Sequence, residues 1–287
     1  MNRWEVPDIT WRMPLGGRTG GPADRRAEGL LLADRPTARP ADRPVRVADF
    51  VDHTLLKAEA TRAEIEKLCA EAKTHRFAAV CVNGCWVALC ADRLAGTGVK
   101  VATVVGFPLG AMTSAAKAFE TQQLVKDGAD EIDMVAAIGH IKGGEWAYVE
   151  DDIRAVVEAA RGRTVKVIIE SAALEPMEVV KASAIAKEAG AQFVKTSTGF
   201  HPAGGATAEA VALMRLAVGD ALGVKAAGGI RDCATALRMI RAGANRLGTS
   251  SGVGLVDCLG SGPLALEALL GDVDGHERVC KTGACGY

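Results

Sequence analysis

Residues 191–231 read AQFVKTSTGFHPAGGATAEAVALMRLAVGDALGVKAAGGIR. Two short apolar runs, each carrying one lysine, flank a stretch at 206–218 rich in Ala, Leu, Met and Glu. Such runs separated by a helical stretch form a βαβ unit, whose two strands are parallel. Parallel strands are covered on both faces, so Lys195 and Lys225 fall where a sheet would enclose them. Lysine is rarely buried unless it is paired or has a function. Each run ends in small polar residues and glycine: Thr196-Ser197-Thr198-Gly199 after the first, Ala227-Gly228-Gly229 after the second.

The same alternation extends in both directions. Strand candidates are ADFVDHT (48–54), FAAVCVN (77–83), KVATVVGF (100–107), ADEIDMV (129–135), VKVIIES (165–171), AQFVKTS (191–197), GVKAAG (223–228) and ANRLGT (244–249). Helix candidates lie near 61–74, 85–94, 114–127, 145–161, 175–189, 206–218, 232–242 and 263–270. Several end in a glycine followed at once by the next strand, as at Gly128, Gly190 and Gly243, where glycine can stop a helix in a left-handed cap. Eight strand–helix pairs in about 230 residues predict an α/β protein with a (β/α)8 TIM barrel over residues 45–272. A doubly wound open sheet is the alternative. It would place a glycine-rich dinucleotide turn after the first strand, and the residues there, DHTLLKAEA, contain no glycine.

Both ends fall outside this rhythm. Residues 1–44 hold six of the ten prolines, eight arginines and no lysine, and read as a flexible, disordered leader. Trp4 and Trp11 leave a short docking segment open as the alternative. Residues 273–287 read as a mobile tail.

Composition narrows the function. A hydrophobic share of 49% supports a sizeable core, and 34 basic against 35 acidic residues argue against a nucleic-acid partner. No window of 18 apolar residues suggests a membrane span, and the first 30 residues lack the apolar centre of a secretory signal. A cytoplasmic protein is expected. The eight cysteines lack paired C-x2-C spacing and read as reduced thiols acting as small hydrophobes. The five histidines are scattered without ligand spacing, so neither a metal nor another cofactor is expected.

Barrel enzymes assemble their sites at the C-terminal ends of the strands. Those ends carry Asp52 and His53, Cys81 and Asn83, Asp133, Glu170 and Ser171, Lys195 to Thr198, and Lys225. A lysine beside a second cation is favoured in its neutral form and can attack a carbonyl. The alternative is a lysine reaching out of the barrel mouth to hold phosphate or a surface carboxylate. In EIDMV, Glu131 and Asp133 share one parity, so both carboxylates can face the interior. An ion pair to a lysine and proton transfer are both open to Asp133. Asp52 and His53 are adjacent, so only one faces inward; Asp52 is the expected one, and His53 reads as structural. Gly228-Gly229 and Gly248-Thr249-Ser250-Ser251 close strands 7 and 8, the usual phosphate corner of a barrel, with Thr198-Gly199 as a third contributor.

Taken together, these segments resemble the deoxyribose-phosphate aldolases. The resemblance rests on DHTLLK (52–57), VCVN (80–83), VGFPLG (105–110), EIDMV (131–135), VIIE (167–170), VKTSTGF (194–200), VKAAGGIR (224–231) and GTSS (248–251), in order along the chain. It implies a class I aldolase that reversibly cleaves 2-deoxy-D-ribose 5-phosphate to acetaldehyde and D-glyceraldehyde 3-phosphate, without a metal, in the breakdown of deoxyribonucleotides and carbohydrates. By that resemblance Lys195 forms the Schiff base, Lys225 tunes it, Asp133 is the acid/base partner and Asp52 supports them. Cys81 would line the substrate pocket, and Gly199, Gly228, Gly229, Gly248, Ser250 and Ser251 would hold the phosphate. Tyr287 would relay a proton from the end of the tail. Ala227, Ser171 and Gly84 depart from residues the family often has there, a serine, a threonine and a proline. Other expectations left open are another phosphosugar aldolase or isomerase, or a non-catalytic barrel that binds a phosphorylated metabolite. The partner expected is a small phosphosugar, and a homodimer is left open.

Overall fold

The computed structural model describes residues 44–271. Eight parallel strands close into a barrel in sequence order: β1 (Val51–Leu55), β2 (Ala79–Val82), β3 (Lys100–Val105), β4 (Glu131–Val135), β5 (Thr164–Ile168), β6 (Phe193–Lys195), β7 (Gly223–Ala227) and β8 (Arg246–Thr249). β8 pairs with β1 to complete the circle, with Asp52 opposite Gly248. The (β/α)8 expectation therefore holds. The leader at 1–44 and the tail at 273–287, with Tyr287, lie outside the described residues but for Pro44.

The helices between the strands are α1 (Arg62–His75), α2 (Val87–Leu94), α3 (Ser114–Lys126), α4 (Ile138–Lys142), α5 (Trp146–Ala159), α6 (Pro176–Glu188), α7 (Ala208–Val218), α8 (Cys233–Arg241), α9 (Gly252–Leu259) and α10 (Leu266–Leu270). Four of them start at a side chain that accepts an otherwise unpaired first-turn N–H: Thr61, Thr113, Thr207 and Asp232. The glycine punctuation also holds, since Gly128, Gly190 and Gly243 all have positive φ just past a helix.

Two α-helices are absent from the sequence expectations, and five strands (β1, β2, β4, β6 and β8) start two or three residues later than expected. Helix α9 contains two glycines in GVGLVDCL and has little intrinsic propensity. It forms because Leu255 and Val256 bury against the barrel. Helix α4 is one short turn in what reads as a loop. At the start of the barrel, residues Val47–Phe50 coil into a 3-10 turn, so β1 begins at Val51 instead of near 48.

The reading of all cysteines as reduced thiols fails for one pair. Cys233 in the first turn of α8 is bonded to Cys258 near the end of α9, with their Cα atoms 6.6 Å apart. The two helices lie side by side within disulfide reach, a proximity that spacing alone does not disclose. Cys69, Cys81, Cys85 and Cys90 are free. No described helix is long and apolar enough to cross a membrane.

Candidate active site

Strand register sets the geometry of the site. Asp133 on β4 lies opposite Lys166 on β5, Ile168 on β5 opposite Lys195 on β6, and Lys195 opposite Lys225 on β7. All of these charged side chains turn into the barrel, where each is at most 2% exposed. Asp52 also turns in. His53 turns out toward α1 and meets Glu71 through its Nε2 at 2.8 Å, in keeping with the parity expected for the pair.

Six of the charges form a closed ring. Asp133 Oδ1 accepts from Lys166 Nζ at 2.6 Å, and Lys166 reaches Glu131 Oε2 at 2.7 Å. Glu131 Oε2 accepts from Arg246 at 2.8 Å, and Arg246 Nε donates to Asp52 Oδ1 at 2.7 Å. Asp52 Oδ2 then accepts from Lys225, whose Nζ also donates to Asp133 Oδ2 at 2.7 Å and closes the loop. Three carboxylates alternate with three cations. Lys195 hangs on this ring through Asp133 Oδ2 at 2.9 Å and is a fourth cation against three acids.

Burying charges costs several kcal/mol per ion unless geometry and hydrogen bonding compensate. Here every ring member has two charged partners. Burial pushes the Asp52 carboxyl up, but Arg246, Lys225 and Lys166 outweigh it and hold the group below the usual carboxylate range. Asp133 behaves likewise: burial raises it, and Lys166, Lys195 and Lys225 bring it well below. For Lys225, burial disfavours the charged form, yet Asp133 and Asp52 reverse that and raise it above an ordinary lysine. Lys166 is raised against burial by Asp133 and Glu131, and Arg246 by Asp52 and Glu131. Asp52 and Asp133 are thus favoured as carboxylates, and Lys166, Lys225 and Arg246 as cations.

A cavity of about 220 Å3 opens above the ring, over the ends of β6, β7, β8 and β1. Among the described residues, Lys195 is the one member of the charged cluster in its wall. The loops expected to hold phosphate supply Thr198, Gly199, Gly228, Gly229, Gly248 and Ser250. Gly228 has φ +87, and its Cα comes within 3.0 Å of where a Cβ on Gly205 would stand opposite, so the β6 and β7 loops pack back to back. Gly248 has a second task. A Cβ there would stand 2.9 Å from Ala227 Cβ and 3.2 Å from Lys225 Cε, so its bareness leaves room for the lysine to cross the barrel.

Two of the residues expected to bind substrate stand apart from the cavity wall. Ser251 stands at the N-cap position of α9, without a side-chain capping bond, and donates its N–H to Thr249 Oγ1 at 2.9 Å. Cys81 is fully buried in an apolar cluster with Leu56, Ala79, Ala102 and Val104, and burial pushes its thiol up. Two members of the ring are not among the expected residues. Lys166 sits mid-strand in VKVII, one strand from Asp133 and on the inward parity, a signal that alternation carries. Arg246 lies at the opposite end of its strand from the site, away from the C-terminal ends where barrel chemistry is expected. Among the described residues, no three His, Cys, Asp or Glu side chains gather as a metal-binding group.

Comparison with known proteins agrees with this geometry. Residues 46–256 match the family model described as DeoC/LacD family aldolase. The chain is 58% identical over 212 residues to a deoxyribose-phosphate aldolase of Geobacillus, covering 74% of this chain and 95% of that one. It is 55% identical over 213 residues to its counterpart in Streptococcus uberis, covering 74% of this chain and 96% of that one. A crystal structure of a putative deoxyribose-phosphate aldolase from Coccidioides immitis superposes with TM-score 0.72 at 39% identity, covering 79% of this chain and 91% of that one. The Aeropyrum pernix deoxyribose phosphate aldolase, described as a unique tetramer, gives 0.69 at 31% identity, covering 74% and 89%. With its barrel closed over a buried lysine cluster and matched along most of its length, the chain belongs to the DeoC/LacD family of aldolases and is itself a carbon–carbon lyase.

Proposed function

We propose that this aldolase cleaves 2-deoxy-D-ribose 5-phosphate reversibly to acetaldehyde and D-glyceraldehyde 3-phosphate through a Schiff base on Lys195. The observation that carries the reading is the position of Lys195: it alone of the charged cluster borders the cavity, 2.9 Å from Asp133. The cluster holds one cation more than it holds acids, so removal of a single proton balances it. Lys225 keeps its charge because Asp52 and Asp133 both hold it.

The neutral amine attacks the C1 aldehyde, and loss of water gives an iminium. As a base takes the proton from the C3 hydroxyl, the C2–C3 bonding pair flows into the iminium and leaves an enamine. Glyceraldehyde 3-phosphate departs with C3 as its new aldehyde carbon. The enamine takes a proton at C2, and hydrolysis returns acetaldehyde and free Lys195. Asp133, acting through a water and backed by Lys225, is the proposed proton carrier. Asp52 fixes Lys225 from the other side. Tyr287 is the proposed donor to C2, and Tyr287→Phe should slow that protonation while leaving cleavage intact. The phosphate rests on the backbone of Gly199, Gly228, Gly229 and Gly248 and on the Ser250 hydroxyl, with Ser251 beside it at the start of α9 and Thr198 shaping the Gly199 turn. Cys81 packs beneath the substrate.

The test is borohydride trapping with acetaldehyde followed by peptide mapping. A reduced ethyl adduct on Lys195 supports the reading. An adduct absent from Lys195 in folded protein removes it. A homodimer in the cytoplasm extends the same reading; light scattering on the purified protein separates a dimer from a tetramer like that described for the Aeropyrum enzyme.

A further inference from the structure

Glu170 is buried, only 2% exposed, and has left-handed backbone angles, φ 54 and ψ 57. That conformation costs a residue with a Cβ on the order of 1 kcal/mol, whereas glycine adopts it freely. A glutamate held there needs a reason in its side chain. The kink falls between two hydrogen bonds that carry the β5–β6 pairing past the strand ends: Ile169 N–H to Lys195 O at 3.0 Å, and Ser171 N–H to Thr196 O at 2.8 Å. It turns the carboxylate toward Thr198. Glu170 Oε2 accepts from the Thr198 hydroxyl at 2.6 Å, and both carboxylate oxygens lie 3.2 Å from the Thr198 N–H. The Thr198 hydroxyl in turn accepts from Phe200 N–H at 3.1 Å, so the turn over Gly199 is tied at both ends. Thr198 and Gly199 line the cavity, and Glu170 does not.

We propose that Glu170 is a positioning residue for the substrate's phosphate, acting through Thr198 to hold the Thr198–Gly199 turn in its anion-binding shape. This rests on the phosphate-loop reading above. A carboxylate is required because two donors, an N–H and an O–H, converge on it; a carboxamide would present a donor to a donor. Its own negative charge is absorbed by those donors and stays out of the cavity wall, where it would repel a phosphate.

The experiment compares 2-deoxyribose 5-phosphate with unphosphorylated 2-deoxyribose in the full-length protein. Glu170→Gln should lower kcat/KM for the phosphorylated sugar about tenfold, through KM, equivalent to about 1.4 kcal/mol. The value for the unphosphorylated sugar should stay within about twofold, and Glu170→Asp should restore part of the loss. If Gln fails to fold by circular dichroism, the Asp variant carries the same comparison. Equal losses for both sugars, or none for either, overturn the proposal. Ser250→Ala serves as the control for the phosphate site itself. If it affects both sugars alike, the phosphate-loop reading falls and Glu170's role falls with it. If it is selective and the Glu170 variants are not, only the role of Glu170 is lost.

Discussion

Lys195 and Lys225 stand opposite each other on adjacent strands and donate to the same oxygen, Asp133 Oδ2, at 2.9 and 2.7 Å. The oxygen between them makes their closeness tolerable, and it also gives the two ammonium groups different surroundings. Lys225 has a second acid, Asp52, on its far side. Lys195 has the cavity instead. The same chemical group is thereby held between two acids on one strand and, on the next, borders the cavity where the proposed Schiff base would form.

Replacing Lys225 by Leu should break the ring where Asp52 and Asp133 share a cation. Two buried carboxylates would each lose a partner, which typically costs about 3–5 kcal/mol. Chemical denaturation should show that loss, and aldol cleavage at neutral pH should fall by about a hundredfold or more, a barrier increase of at least about 2.7 kcal/mol. Unchanged activity in a folded variant would remove Lys225 from the mechanism.

Stability should depend on pH in two windows. Asp52 and Asp133 are held below the ordinary carboxylate range, so the unfolded chain takes up their protons first. Their contribution is complete above about pH 3.9, the unfolded value, and is lost as pH falls through the lower folded values. Lys166 and Lys225 are raised, so their contribution is complete below about pH 10.4 and is lost as pH rises through the higher folded values. Melting temperature measured across the pH range should decline at both extremes. Asp133→Asn should lower it at neutral pH and flatten the acid limb; an acid limb identical to the wild type would contradict the assignment.

Gly248→Ala separates two roles for one residue. If the added methyl displaces Lys225 and Ala227, as the 3.2 and 2.9 Å approaches require, phosphorylated and unphosphorylated sugars should both lose activity. Such overpacking should also cost about 1–3 kcal/mol of stability. A loss confined to the phosphorylated sugar would mean that Gly248 serves the phosphate alone.

Deleting residues 1–44 should leave turnover within about twofold of the full chain, a change of under about 0.5 kcal/mol. The family match begins at residue 46, and every described member of the charged cluster lies beyond that point. Steady-state assays of the two forms decide this, and a large loss would give the leader a part in catalysis.

The parity of short segments makes much of the site legible in the sequence. Alternation within EIDMV puts Glu131 and Asp133 on one face, and the same rule favours Asp52 over His53. The glycines just past β7 and near the end of β8 mark the cavity rim. Parity also points at Lys166, although its mid-strand position lies away from the strand ends where barrel chemistry is expected. Glu170 is visible as a polar residue in VIIE, but its left-handed backbone and its grip on Thr198 leave no trace in local pattern. Helix α9 is hidden because its stability comes from burying Leu255 and Val256, and its own glycines oppose it.

The sequence by itself determined the βα rhythm, the inward face of β1 and β4 and the residue types at the ends of the barrel, because these follow from local periodicity and turn chemistry. Only the tertiary structure decided that Asp133, Lys166, Glu131, Arg246, Asp52 and Lys225 close into one ring. Arg246 meets Asp52 across 194 residues of chain, and Lys225 meets it across 173. Those contacts depend on the tilt and stagger with which eight strands close, which set the levels at which side chains from distant strands meet. No local pattern encodes that stagger, and it is what leaves Lys195 as the cation facing the cavity.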